Sequence, residues 1–130
     1  MEASYAYILL RLALGLSMLG HGLVRIPKLS VFSTWMLEAY EKSILPIVLV
    51  RPFSYVLPFV ELSLGLLLLM GLFTRISLMG AGLVMLALIF GTCMLESWEW
   101  LPSQLIHILF VALLLTYIGN NTISVDQLLK

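Results

Sequence analysis

Four ionisable residues stand inside long runs of apolar ones: Arg11, His21, Glu61 and His107. Each is costly to hold in hydrocarbon, and an ionisable residue kept there marks a candidate functional site. Gln104 and Cys93 are milder polar members of the same kind of segment. A carboxyl and an imidazole exchange protons, an amide pairs with a carbonyl or hydroxyl, and a guanidinium holds negative charge. Glu61 and His107 are the expected catalytic, proton-exchanging pair, with Arg11, His21 and Gln104 as the expected ligand-binding residues. Bland readings stand beside these. Glu61 and Arg11 could pair only for packing, His21 could touch headgroups, His107 could be a satisfied core histidine, Gln104 could join helices, and Cys93 could fill space. Two histidines on facing helices also meet the ligand count for an axial haem pair. No phosphate loop, zinc spacing or nucleophile elbow is present, and no metal site is expected.

The segments that must position these residues read as membrane spans. The 130-residue chain is 62% hydrophobic and 11% charged, against ~45–50% and ~25% in a soluble domain. A soluble fold this small could not hide so much apolar surface; lipid as solvent removes the difficulty. Spans need ~20 mostly apolar residues, and there are stretches of that kind near Tyr5–Val24, Phe53–Phe73, Ile76–Leu95 and Leu101–Gly119. Backbone groups in lipid must be satisfied within the segment, so these are expected to be helices. The first stretch carries an acid and no base in its leader, unlike a signal peptide, and is expected to be retained. A single cysteine excludes an internal disulfide, and zero formal net charge without a basic stripe argues against nucleic acid.

Connections differ in length. Thr74-Arg75 is expected to form a tight hairpin, and Glu96 to Trp100 places two tryptophans at headgroup level. From Arg25 to Pro52 the link is long, and within it Leu29, Phe32, Met36 and Tyr40 recur at helical spacing while Ser30, Ser33, Glu38, Glu41 and Lys42 avoid the stripe. This predicts an interfacial amphipathic helix over Leu29 to Tyr40. Ser124 with Gln127 fits a capping box for a short terminal helix. The fold expected is all-α: one four-helix integral membrane bundle over residues 1–130.

An even number of spans puts both termini on one side, here side A. Side B then carries Arg25, Lys28, Lys42 and Arg51, and the positive-inside rule favours side B as cytoplasmic. Measured from the side B helix ends at ~1.5 Å per residue, His21 and Gln104 lie ~5 Å deep, His107 ~9 Å and Glu61 ~12 Å. These four residues are therefore expected to line one pocket. Arg11 lies ~9 Å from side A, and its long side chain is expected to reach Glu61.

The run Glu61-Leu62-Ser63-Leu64-Gly65 through Gly71-Leu72-Phe73-Thr74-Arg75 resembles the second-helix signature of the DoxX family. Arg11, Gly15, Gly20-His21-Gly22, Arg25 and Lys28 resemble its first helix, and Gly119-Asn120-Asn121 with Ser124 and Asp126 its tail. The resemblance implies a four-helix protein of the prokaryotic cytoplasmic (inner) membrane. It also implies kinship with the DoxD-like small subunit of thiosulfate:quinone oxidoreductase, hence a quinone-linked redox subunit associated with sulfur-compound or thiol oxidation. Quinone is the implied cofactor; the lipid bilayer, a redox subunit and a second copy are the candidate partners. The alternative is a non-enzymatic membrane anchor or small-solute carrier.

Overall fold

A computed structural model describes residues 1–130, and every regular element in it is a helix. In chain order these are α1 (Glu2–Arg25), α2 (Leu29–Tyr40), α3 (Ile47–Met70), α4 (Thr74–Met94), α5 (Leu101–Thr116) and the one-turn α6 (Val125–Leu128), with short 3-10 turns between some of them. Four helical stretches are long and apolar enough to cross a membrane. α1 packs chiefly on α3 and also on α5, while α4 packs on α5 and α3, so the four spans close into a ring. Their outward faces present residues such as Leu9, Leu16, Val56, Leu83 and Ile106, as a lipid solvent permits and water would not.

Glycines set the closest helix contact. A Cβ on Gly65 would run into the backbone of Leu19, and one on Gly22 would lie 2.7 Å from the Leu62 nitrogen. Gly15 meets Leu69 in the same way. Small residues let backbones approach in this manner, and helix association in lipid depends on that approach. The contacts also fix an antiparallel register in which Gly22 lies beside Pro58 and Leu62.

The interfacial helix has the bounds the apolar stripe predicts. Its packing is on α3, and Met36 joins Val50 and Leu57 in a small core beneath it. One expectation is corrected here: Ser33 does not face water. It is buried, and its hydroxyl meets that of Ser54 at 2.7 Å. A hydroxyl pair satisfies both groups inside, so a polar residue takes a core position. α3 also begins at Ile47, six residues before the expected Phe53, and carries Pro52 and Pro58 inside it.

Between α3 and α4 the hairpin is Gly71-Leu72-Phe73, placed just before the expected Thr74-Arg75. Gly71 takes φ +67, and the amide of Leu72 donates to the Leu67 carbonyl at 2.9 Å, the bond that closes a Schellman end. The next helix starts with bare amides, and the chain's tail caps them. The Asp126 carboxylate accepts from the Phe73 and Thr74 amides at 2.7 and 2.8 Å. Ser124 does begin α6, but without a reciprocal side-chain box: its hydroxyl and the Gln127 amide both donate to the Asn121 carbonyl. The Tyr7 hydroxyl donates to the Leu114 carbonyl at 2.9 Å, so the start of α1 and the end of α5 lie at the same end of the bundle.

Burial pushes the Asp126 carboxyl up, but the hydrogen bonds from Thr74 and Phe73 outweigh it and hold the group below the usual carboxylate range. A depressed folded value contributes stability above the unfolded value of ~3.9 and loses it as pH falls through the folded one. Asp126→Ala is expected to cost about 1 kcal/mol at neutral pH, the ordinary worth of a helix N-terminal cap. Asp126→Asn is expected to lack the wild-type's loss of stability below about pH 4. Denaturant unfolding in mild detergent across pH measures both effects.

Candidate functional site

At the side B end, α1 finishes in a polar column. Ser17, His21 and Arg25 follow one another at intervals of four, which stacks them on one helix face. The His21 Nδ1 lies 2.6 Å from the Ser17 carbonyl oxygen. Since a carbonyl only accepts, that nitrogen carries a proton, and in the neutral ring Nε2 is the acceptor. On α5, the His107 Nδ1 makes the same contact with the Ser103 carbonyl at 2.7 Å. Its Nε2 sits 2.7 Å from the Ser17 hydroxyl, which therefore donates to it when the ring is neutral. The two imidazoles stand edge to face with centroids 6.4 Å apart.

Glu61 lies across from this column on α3, almost wholly buried. Its counter-ion is Arg25, whose Nη1 reaches the two carboxylate oxygens at 2.9 and 3.2 Å. The guanidinium carbon is also 4.5 Å from the centre of the Phe32 ring, within cation–π reach. Phe32 stacks on Trp35, and Trp35 packs on Trp100 at 5.8 Å. An aromatic chain thus runs from the end of α1 through α2 to the turn before α5.

These groups surround a cavity of about 370 Å³. His21, Glu61, Gln104 and His107 all line it, beside apolar walls that include Met18, Leu57, Met85 and Leu88. Gln104 Oε1 is buried and has no hydrogen-bond partner. An unpaired amide oxygen closed off in this way is costly.

Arg11 is not among them, and the expected Arg11–Glu61 pair does not form. The glycine register puts Glu61 beside Gly22, three residues from Arg25 and eleven from Arg11. Eleven residues are ~16 Å along a helix, beyond a side chain's reach. Arg11 is instead buried at the side A end, where its Nη1 donates to Asn121 Oδ1 and the Asn121 amide donates to Thr74 at 3.0 Å. Gly71 leaves the room for it: a Cβ there would strike Ser124 and crowd the Arg11 guanidinium. Cys93 is a free, partly buried thiol outside the cavity wall.

Ser17, Arg25, Phe32 and Trp35 are site residues that the reading of isolated polar positions missed. Arg25 had a signal, since it shares the helix face of Gly15, Met18 and Gly22. Ser17 had one too, four residues before His21.

A ring of four spans with a half-polar cavity opening near one end defines a small polytopic membrane protein with room for a compact ligand. A family model, DoxX, matches residues 6–93, and the chain belongs to the DoxX family. No curated protein and no solved structure gives a match.

The ion pair and the Arg11 site are separable by mutation. Removing one partner of a fully buried pair costs ~3–5 kcal/mol, because the other charge is stranded; with the Arg25 side chain 27% exposed, solvent lowers that cost here. Arg25→Leu and Glu61→Leu are therefore expected to be strongly non-additive in a double-mutant cycle of unfolding free energy. Arg11→Leu and Glu61→Leu are expected to add.

Proposed function

We propose that the protein is a quinone-linked redox subunit of the prokaryotic cytoplasmic membrane, with the side B cavity as its quinone site. The observation that carries this is one cavity whose apolar and aromatic walls enclose a few polar side chains, His21, Glu61, Gln104 and His107. Such a mixture is what a flat, apolar ring with two carbonyls requires. The Gln104 amide offers an acceptor to a hydroxyl and, turned over, a donor to a carbonyl. Trp35 and Trp100 offer ring faces, and their partial exposure leaves a way in.

A quinone supplies an acceptor for an electron pair, taking up two protons as it becomes a quinol. This chain's part is to bind the ring, keep water away and handle those protons. His21 Nε2 is free of any protein partner and able to take or give one. His107 Nε2 accepts from the Ser17 hydroxyl, one turn before His21 on α1. Glu61 faces the cavity with Arg25 balancing its charge, so it can change hydrogen-bonding partners without being left as an isolated ion. The electron pair would come from a small sulfur compound or thiol, directly or through a partner subunit. Basic residues at side B support a cytoplasmic position for the cavity end.

Membranes containing the overexpressed chain are expected to show quinone-dependent absorbance changes when thiosulfate or a thiol is added. Glu61→Gln keeps shape and a hydrogen bond to Arg25 while removing the exchangeable charge. The expected result is retained quinone binding with turnover reduced by about 10²-fold or more, the usual worth of an acid–base group. Wild-type protein that neither binds quinone nor changes its absorbance would favour the anchor or carrier reading.

A further inference from the structure

Three lining residues of the side B cavity stand at its exposed rim: Trp35 on α2, and Glu99 and Trp100 in the turn before α5. Trp35 and Trp100 keep 45% and 39% of their surface, and Glu99 is exposed beside them, whereas Glu61 is buried. The aromatic row already holds one cation. Its Phe32 ring carries the Arg25 guanidinium, and Arg25 is balanced by Glu61. These are the one cation over a ring and the one ion pair in the structure. Trp35 and Trp100, with centroids 5.8 Å apart and planes inclined at 44°, carry no cation, and Glu99 has no counter-ion. Arg25 and Glu61 cancel, so with neutral imidazoles the lining keeps one uncompensated charge, the carboxylate of Glu99.

We propose that this rim is a binding site for a small organic cation, an alkylammonium or quaternary ammonium group. Indole is the aromatic ring that attracts a cation most strongly, through the negative face of its π-system. A carboxylate beside two such rings adds charge attraction from the same side. An anion would meet Glu99 and the ring faces, both of which repel it. A hard metal ion needs several oxygen ligands, and the rim offers one carboxylate. A neutral apolar ligand would use the rings and leave Glu99 without a part. The turn carrying Glu99 and Trp100 joins the ends of two spans, which is headgroup level. Two sources of the same chemistry reach it there: the ammonium headgroup of a phospholipid and a free ammonium solute. The proposal goes beyond the quinone reading and does not depend on it, since it uses none of the proton-exchanging groups.

The test uses the full chain exchanged into dodecyl maltoside, a detergent without ammonium groups, at about pH 8, where a free imidazole is neutral. The probes are choline, its uncharged carbon isostere neohexyl alcohol, and the anion isethionate. Binding is read from saturation transfer to each probe's protons, titrated to a dissociation constant. Choline is expected to bind about tenfold more tightly than the isostere, and isethionate more weakly than either. Glu99→Gln and Trp100→Leu are each expected to weaken choline about fivefold, the scale of a partly exposed charge or ring contact. Glu99→Gln is expected to leave the isostere's affinity and the unfolding temperature unchanged, which shows that the variant folds. Displacement of choline by added phosphatidylethanolamine, and not by phosphatidylglycerol, would support the site with a lipid headgroup as its occupant. Choline binding that neither lipid displaces would support it with a free solute. An isostere bound as tightly as choline, or choline binding that survives Glu99→Gln undiminished, would overturn the proposal and leave the quinone reading to its own assay.

Discussion

A buried carboxylate needs a counter-charge at contact distance, and Glu61 has one because two helices meet at glycines. Gly15, Gly22 and Gly65 bring the backbones of α1 and α3 together and set their register. That register delivers Arg25, at the last turn of α1, to Glu61 in the middle of α3. The pair then organises what surrounds it. Arg25 lies against Phe32, which brings α2 over the bundle, and the aromatic chain through Trp35 ends on Trp100. The cavity is the space these contacts leave between Glu61, the two histidines and Gln104.

The opposite end is built from polar groups that pair with one another, with only Arg11 Nε left buried and unpartnered. Arg11, Asn121 and Thr74 are joined by hydrogen bonds, and Asp126 closes the start of α4. Gly71 serves twice there, through its left-handed backbone and through the room it leaves for Arg11 and Ser124. Residues of the DoxX-like signature therefore fall into two groups. Glu61, Gly22 and Gly65 shape the α1–α3 contact beside the cavity, while Arg11, Gly71 and the tail residues tie the C-terminal segment to the other end. The second group accounts for a buried arginine with no part in the cavity.

Hydrophobic runs told where the spans lie because lipid imposes their length, and the stripe of α2 told its bounds because one face must be covered. Counting along each helix put His21, Gln104 and His107 toward the same end, and one cavity has all three in its lining. Pairing across helices did not follow from depth. Arg11 and Arg25 share a face of α1, and only the glycine contacts, which need both helices placed, choose between them for Glu61. Ser33 misled for a related reason: a serine reads as solvent-facing until Ser54 is brought opposite it. The start of α3 at Ile47 was hidden by Arg51 and Pro52, which look like a boundary, although the helix runs through both. Ser17 is an ordinary residue in a sequence and becomes a link between two histidines only once α5 stands beside α1.

The claim on which the functional account turns is that a quinone head lies inside the side B half of the bundle. Photolabelling of the full chain in membranes with an azido-quinone, followed by peptide mapping, tests it directly. The account predicts labels on cavity residues such as Trp35, Met36 and Gln104, suppressed by excess unlabelled quinone. Labels confined to lipid-facing positions such as Leu9 and Leu83, or to the Arg11 end, and not suppressed by competitor, would contradict it.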